Sequence, residues 1–271
     1  MPTTFSATTY NVLAQCYVRR DRYRGSPPDA LEPTSRRARL LTRIDALGFD
    51  LLCLQEVEPD LYEALCARFD PTHASAYAQR AGRHEGSALF ARRTVFAWHD
   101  HDVLHFAAHR PKDDDLALIA RLSVDSRPLH VATTHLTWQP DGTPIDEHLG
   151  RRQMLELLAY RDAAPADVTW LFAGDFNATS QSPVLAAAYE RGLAESCRAQ
   201  RPWDTTASNG RARKIDYLLS SAGRLDPRPG VLPRLTPRPG ERPRHGRDVV
   251  MPSEEEPSDH LPLTVEFTPI F

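Results

Sequence analysis

Eight polar side chains lie at or beside the ends of apolar, strand-like segments of this sequence. Carboxylates, amides and imidazoles in such positions can hold a hard metal ion, take a proton from water or stabilise a developing negative charge. Because sites in sheet proteins are built where strands end, the repeated pattern predicts one shared polar rim. The eight residues are Asn11, Glu56, His135, Asp175, Asn177, Asp216, Asp259 and His260.

The segment LFAGDFNATSQSP, residues 171–183, shows this pattern most clearly. Its apolar run predicts a buried strand that stops at Gly174, after which Asp175 and Asn177 flank Phe176. Since side chains alternate along an extended chain, Asp175 and Asn177 leave the strand on the same side. Two interpretations follow: the pair caps the turn into a helix over 182–190, or it is half of a catalytic site.

The other positions also have structural alternatives. Asn11 is a common turn former, Glu56 can serve as a helix N-terminal charge before Pro59, and His135 can be a hydrogen-bonded histidine at a strand end. The run Ser258-Asp259-His260 is compatible with a loop cap. These alternatives weaken jointly, because the chain ends one apolar strand after another in such residues.

The elements that must position these side chains follow an uneven order. Five strands crowd the middle of the chain with no room for helices between them, which disfavours an alternating βα barrel and favours a mixed two-sheet sandwich with helices outside. The first helix should have Ser35 as its N-cap, and the Pro- and Arg-rich stretch 224–247 should be irregular. Predicted strands are 5–12, 50–55, 74–79, 86–91, 101–106, 116–124, 129–135, 168–174, 215–220 and 262–267, and predicted helices are 35–47, 58–68, 147–162 and 182–190.

Composition limits the class of protein. A chain of 271 residues can form one large domain over residues 1–271, and its net charge of −3 gives no global attraction to a polyanion. We find no stretch approaching about 18 consecutive apolar residues and no leader pattern before the first strand, so we expect no membrane partner. The four cysteines lack CxxC spacing, which suits a reducing cytoplasm.

Seven motifs together resemble the endonuclease/exonuclease/phosphatase superfamily, to which DNase I-like nucleases also belong. They are TYNVLAQ, LQEVE, EGSALF, TTHL, GDFN, KIDYLL and PSDHLPL, in that order from about residue 5 to 268. Within the superfamily they most resemble the branch of the deadenylases, nocturnin, the 2′-phosphodiesterase and the Angel proteins. The resemblance implies a four-layer α/β sandwich and phosphoester hydrolysis.

The resemblance also implies a role for each residue of the rim. Glu56 is the first choice of ligand for Mg²⁺, for which Mn²⁺ may substitute, with Asn11 beside it and Asp259 giving a second contact or holding a second ion. Asp175 would deprotonate the attacking water and Asn177 would donate to the transition-state oxygens. His260 would contact the phosphoryl group with its tautomer fixed by Asp216, and His135 would stabilise the phosphoryl or leaving oxygen.

Substrate-binding residues are harder to infer. Arg213 and Lys214 beside Asp216, and Arg151 on a helix, are candidates for phosphate contacts, while Trp138 and Trp203 are candidates for stacking on a base. Arg19, Arg20, Arg22 and Arg24 form either a phosphate track or a solvated face, and the acidic run Asp113, Asp114 and Asp115 predicts a solvated turn.

Three hypotheses follow for function. The first is a Mg²⁺-dependent phosphoesterase acting as a monomer on the 3′ end of RNA, as an Angel-like 2′,3′-cyclic phosphatase or a deadenylase-like exoribonuclease. The second keeps this chemistry but acts on DNA, a phosphoinositide or a small nucleotide. The third is a non-catalytic binding module, which the intact set Glu56, Asp175, Asn177 and His260 disfavours.

Overall fold

The alternating apolar runs form two six-stranded mixed sheets. The computed structural model describes residues 2–110, 114–140, 142–197, 204–208, 211–230 and 249–270. The strands are β1 Phe5–Asn11, β2 Leu51–Val57, β3 His73–Gln79, β4 Gly86–Arg92, β5 Ala97–His105, β6 Leu116–Val124, β7 Arg127–His135, β8 Thr169–Asp175, β9 Leu193–Glu195, β10 Thr206–Ser208, β11 Arg211–Arg213, β12 Asp216–Ser221, β13 Leu225–Pro229 and β14 Leu263–Pro269. The helices are α1 Pro28–Leu31, α2 Pro33–Asp45, α3 Pro59–Phe69, α4 Leu149–Asp162 and α5 Pro183–Glu190, with one 3-10 turn at Gln15–Tyr17.

The order of strands makes each sheet mixed. The first sheet runs β13-β14-β1-β2-β4-β3, the second runs β5-β6-β7-β8-β12-β9, and β10 with β11 forms a separate ribbon. Each large sheet contains one parallel pair, β1 with β2 and β7 with β8. A parallel pair needs a crossover connection, and α2 and α4 provide the two crossovers.

The sheets are buried on both faces, which produces four layers. Leu51 and Cys53 of β2 point into the core between the two sheets, whereas the alternate residues Leu52 and Leu54 pack with α2 and α3. On the second sheet, Phe172 packs in the same way with α4 and α5. The predicted two-sheet sandwich with helices outside is therefore confirmed, and one domain over residues 1–271 stays a prediction.

Each predicted strand and helix has a counterpart in the structure, with differences at the ends. Helix α2 begins at Pro33, so Ser35 lies inside it, and Ser35 gives its backbone N–H to the Glu32 carboxylate at 2.7 Å. The prediction that 224–247 is irregular is wrong at its start, because Leu225–Pro229 pairs with β14. A strand with two prolines is tolerated there because β13 is an edge strand of the sheet.

The two parallel pairs decide where the site lies. In the first sheet, the carboxyl ends of the parallel strands β1 and β2 lie side by side. In the second sheet, the carboxyl ends of β7 and β8 do the same. Strands β12 and β14 run antiparallel to β8 and β1, so their first residues come to these same ends. The predicted polar side chains therefore converge from both sheets.

No helix among the described residues is long and apolar enough to cross a membrane. The four cysteines are free thiols.

Candidate active site

Glu56 is aimed into the site by a break in the ladder of β2. The pairing of β2 with β4 shifts register between Leu54 and Val57, and Glu56 takes a positive φ of 58°. Bulges of this kind commonly redirect a side chain beside an active site. Its carboxylate accepts hydrogen bonds from Asn11 Nδ2 at 3.0 Å and from the backbone N–H of Ala14 at 3.0 Å. Burial and the nearby charge of Asp259 raise the pKa of Glu56.

The two carboxylate oxygens of Asp175 have different partners. Oδ1 accepts the backbone N–H of Asn177 at 2.9 Å, which forms the turn. Oδ2 accepts a hydrogen bond from Asn11 Nδ2 at 3.1 Å and lies 3.5 Å from His135 Nε2. The following helix α5 is capped by Ser182 instead.

Gly174 lets β8 deliver Asp175 beside β7. At its φ of 151°, a Cβ atom would lie 2.0 Å from the backbone oxygen of Thr134, so a larger residue would push the two strands apart. Their register places His135 opposite Asp175. His135 and Asp175 are thus brought together by backbone pairing.

Asn177 and His135 form the next part of the site. Asn177 has a positive φ of 49°, and its Nδ2 lies 2.9 Å from His135 Nε2 and donates to the backbone oxygen of Leu136 at 2.9 Å. His135 Nδ1 is 3.7 Å from a Glu56 oxygen. His135 therefore lies between Glu56 and Asp175.

His260 is held by Asp216. Its Nδ1 lies 2.9 and 3.1 Å from the two Asp216 oxygens, and its Nε2 lies 3.6 Å from Asp175 Oδ2. Burial alone lowers the pKa of His260, but the charges of Asp216 and Asp175 outweigh it and hold that pKa well above its usual range. The geometry therefore favours a protonated imidazole whose Nε2 faces the site.

Asp259 is connected to a segment far away in the sequence. Tyr23 donates its hydroxyl to Asp259 Oδ2 at 3.0 Å, and burial raises the pKa of Tyr23. Next to it, Ser258 donates to the backbone oxygen of Asn11 at 2.7 Å and accepts from His260 N at 3.1 Å. The predicted loop cap is thus made by Ser258, which leaves Asp259 and His260 for the site.

Arg36 is a residue that the sequence reasoning missed. It is buried, and its guanidinium donates to the backbone oxygens of Val12 and Pro257, both at 3.1 Å, and of Leu13 at 2.7 Å. It thereby ties the loop after Asn11 to the segment before Ser258. One signal was present, since Arg36 lies four and eight residues before Leu40 and Ile44 on the apolar face of α2.

The predicted substrate residues fall in different places. Trp138 is 45% exposed and lines a cavity that His135 and Asn177 also line. Arg213 is partly buried in the β10–β11 ribbon, and Arg151 lies in the first turn of α4. Trp203 lies outside the described residues.

Lys214 has a structural environment instead. Its ammonium pairs with Glu195, lies 3.4 Å from the backbone oxygen of Cys197 and sits over the ring of Tyr217. Burial lowers the pKa of Lys214 to about 8. These contacts anchor β9 against β12. The positive charge of Lys214, for which the sequence suggested a substrate phosphate, is paired with Glu195 in the structure.

The predicted solvated turn at the acidic run is wrong for Asp115. That residue is buried, forms an ion pair with Arg80 and accepts hydrogen bonds from Thr137 Oγ1 at 2.5 Å and Gln153 Nε2 at 2.8 Å. Asp114 accepts the backbone N–H of Ala81 at 3.1 Å, and Asp113 lies outside the described residues. Composition alone could not show that Asp115 faces inward, because its partners come from other elements.

The residues fit a divalent cation. Four carboxylates, from Glu56, Asp175, Asp216 and Asp259, share this site, and such a concentration of buried negative charge favours a bound cation. Ligand atoms of Asp175, Asp216 and His260 lie within 4.8 Å of one another. Glu56 and Asp259 offer further carboxylate oxygens in the same site.

Asn11 contacts two of these carboxylates. Its Nδ2 bridges the carboxylates of Glu56 and Asp175, and its Oδ1 accepts the backbone N–H of Leu13 at 3.0 Å. In this arrangement Asn11 holds the two acids at a fixed separation. Its role as a direct ligand stays a prediction.

Comparison with known families decides the class of this protein. Residues 8–260 match the model of the Endonuclease/Exonuclease/phosphatase family. The chain belongs to that family. Because its members hydrolyse phosphoester bonds, the predicted class of enzyme is confirmed at this level.

Individual relatives fall in the predicted branch. A probable CCR4-Not complex 3′-5′-exoribonuclease subunit Ccr4 of Vairimorpha ceranae is 28% identical over 68% of this chain and 44% of its own length. Protein angel of Drosophila melanogaster is 27% identical over 81% of this chain and 68% of its own length. The crystal structure of ANGEL2, a 2′,3′-cyclic phosphatase, has a TM-score of 0.78 at 22% identity, covering 99% of this chain and 96% of that chain. The chain therefore spans less than half of the first relative, and the ANGEL2 likeness establishes the fold.

Proposed function

We propose that this chain is a Mg²⁺-dependent phosphoesterase that acts on the 3′ ends of RNA. The observation that carries the proposal is the convergence of Glu56, Asp175, Asp216 and Asp259 with His135 and His260 at the ends of strands from both sheets. Keeping this many ionisable groups buried is costly for a protein that only binds a partner. The arrangement is what hydrolysis of a phosphoester requires.

Asp175 is the proposed general base. Its Oδ2 faces the imidazoles of His135 and His260, and its Oδ1 is fixed by the turn at Asn177. A carboxylate held in this way can align a water molecule and take its proton. General base catalysis of this kind typically raises the rate by about 10²–10⁴-fold. Glu56 and Asp259 would hold Mg²⁺, which when bound supplies a positive charge beside the phosphoryl oxygens.

His260 and Asn177 are the proposed stabilisers of the transition state. The raised pKa of His260 keeps its Nε2–H available as a cationic donor, and Asp216 orients the ring from the opposite side. The amide of Asn177 lies beside His135, so both can turn to oxygen atoms of the reacting phosphoryl group. Donors placed before the reaction begins lower the barrier without further reorganisation.

RNA is the substrate class that the relatives favour. One relative is a probable CCR4-Not complex 3′-5′-exoribonuclease subunit and one structural neighbour is a 2′,3′-cyclic phosphatase, and both reactions concern a 3′ terminus. Trp138 supports an RNA terminus, because an exposed indole beside the catalytic residues can stack on an unpaired base. A monomeric state and a cytoplasmic location stay predictions.

One comparison of substrates tests the proposal. Purified enzyme with Mg²⁺ receives oligonucleotides of one sequence that end in 2′,3′-cyclic phosphate, 3′-phosphate, 3′-hydroxyl or a 2′–5′ linkage, and DNA of that sequence. Preference for the cyclic end establishes an Angel-like phosphatase, and stepwise shortening of the hydroxyl end an exoribonuclease. Equal or better cleavage of DNA overturns the RNA assignment. The Asp175→Asn protein serves as the control for contaminating nucleases.

A further inference from the structure

A cavity of about 240 Å³ adjoins the candidate active site and is rich in arginine. His135 and Asn177 form part of its lining, so the cavity opens directly onto the proposed catalytic residues. Arg22, Arg80, Arg83 and Arg110 also line it, and we name this surface the arginine groove. Its volume is below the ~300–1,000 Å³ of sites for drug-sized ligands, which suits one phosphate with part of a nucleotide.

Arg80 forms the rigid part of the groove. It is paired with Glu85 at 3.0 Å and with Asp115, and Asp115 is itself bound by Thr137 and Gln153. Tyr17 adds a hydrogen bond of 3.1 Å to Glu85. Since Arg80 is already paired with two acids, its main effect is to fix the shape of this wall.

Arg22 and Arg110 are the two exposed arginines that line the groove. Both are exposed, and they come from segments 88 positions apart, the loop after β1 and the loop after β5. Arg110 donates to the backbone oxygen of Trp138 at 2.5 Å, which keeps a guanidinium beside the exposed indole. Guanidinium groups that converge on one cavity repel each other unless an anion lies between them, and phosphate matches their planar donors.

The loop that carries Arg22 contains its own control. Arg24 is exposed on the same loop but does not line the groove. Tyr23 between them is buried and points to Asp259. Tyr23 thereby anchors the loop, and Arg22 is directed to the groove by structure and not merely by its charge.

We infer that the arginine groove binds the backbone phosphate of RNA that precedes the scissile group, with Arg22 and Arg110 as its ligands and the base stacked on Trp138. This inference rests on the proposed function, which identifies the bound nucleic acid as RNA. It adds that the enzyme recognises the negatively charged phosphate one linkage away from the bond that it cuts. A substrate lacking that phosphate should bind more weakly even with the correct 3′ terminus.

The test is a thermodynamic cycle in which the charge of one RNA phosphate and one arginine of the protein are removed separately and together. Asp175→Asn protein, which binds without cleaving, receives a 5′-labelled RNA oligonucleotide and the same oligonucleotide with one uncharged methylphosphonate at the linkage preceding the scissile group. Fluorescence anisotropy gives Kd. We expect the uncharged linkage to weaken binding about tenfold, and to have little further effect once Arg22→Ala or Arg110→Ala is present.

Salt dependence provides a second readout of the same phosphate contact. Loss of one phosphate contact to a single strand should reduce the slope of log Kd against log salt by about 0.7 for Arg22→Ala and Arg110→Ala, with Arg24→Ala unchanged. The inference is overturned if the methylphosphonate binds as tightly as RNA, or if Arg24→Ala acts like Arg22→Ala. If DNA shows the same arginine-dependent increment and is cleaved equally, the groove stands and the RNA assignment fails.

Discussion

The floor of the site and the arginine groove beside it are built in opposite ways. In the floor, Glu56, Asp175 and Asn11 are bound to one another and to backbone groups, and they are largely buried. In the groove, Arg22 and Arg110 are exposed side chains on loops. The difference indicates that the catalytic residues are already in place before substrate arrives. The exposed arginines of the groove, in contrast, take up their final positions only when substrate binds.

Substitutions in the two regions should therefore separate kcat from KM. An interaction present only in the transition state changes kcat, and one that holds substrate and transition state equally changes KM. The floor should show the first behaviour and the groove the second.

Asp175→Asn tests the floor most severely. It keeps the shape of the side chain but removes the proposed base, so we expect kcat to fall by at least ~10²-fold while Tm changes little. Steady-state kinetics on the preferred 3′ terminus and a melting curve measure the two effects. Asp70→Asn, at the end of α3, is the matched control and should retain wild-type kcat. A loss confined to Tm would show that Asp175 is only a turn cap.

Glu56→Gln tests the metal assignment. We expect EDTA to abolish activity of the natural protein, Mg²⁺ or Mn²⁺ to restore it, and Mg²⁺ to raise its Tm, because a ligand that binds only the folded state stabilises it. Glu56→Gln should lose the rise in Tm and at least ~10-fold in activity. The control is Glu58→Gln, because Glu58 accepts the backbone N–H groups of Gln15 and Cys16. Activity in excess EDTA, or rescue by zinc alone, contradicts the assignment.

Trp138→Ala tests the groove. Losing one stacked base should raise KM for RNA about tenfold, within the range of ~1–3 kcal/mol for a base stacked on an aromatic ring. Hydrolysis of a small phosphodiester without a base should be unchanged. If kcat falls equally on both substrates, Trp138 belongs with the floor and the division between the regions is wrong there.

Lys214→Met should have the smallest effect on turnover. Since Lys214 pairs with Glu195 at a mostly buried position, its removal leaves a carboxylate without its cation, and we expect a loss of about 3 kcal/mol in the free energy of unfolding. Chemical denaturation measures this loss, and adding Glu195→Leu should recover much of it. A rise in KM for RNA at unchanged stability would return Lys214 to the substrate contacts.

The fold was largely predictable because strands such as β2, β6 and β8 are continuous apolar runs. Each predicted strand and helix has a counterpart in the structure. The short strands β9, β10 and β11 were missed, since three residues carry too little pattern. Strand β13 was missed because proline usually opposes a strand, and only its edge position permits it.

The site was predictable in its residue types and less so in its connections. Asp175 and His260 could be proposed as site residues because polar residues at strand ends are conspicuous and match a known set of motifs. Arg36 and Tyr23 were not assigned to it, since their partners at Pro257 and Asp259 lie 221 and 236 positions away. Local patterns show where a strand ends, but not which distant carbonyl or carboxylate it will meet.

The pairing of β1 with β14 also determines at what point of synthesis the site can be completed. Phe5 pairs with Phe267, and Ser258 binds the backbone of Asn11, so the first and last strands of the described chain build the site together. During synthesis, the segment holding Glu56, His135 and Asp175 emerges long before Asp259 and His260 do. A chain that still lacks residues 258–269 therefore has an incomplete site, because Asp259, His260 and the strand that pairs with β1 are all missing from it.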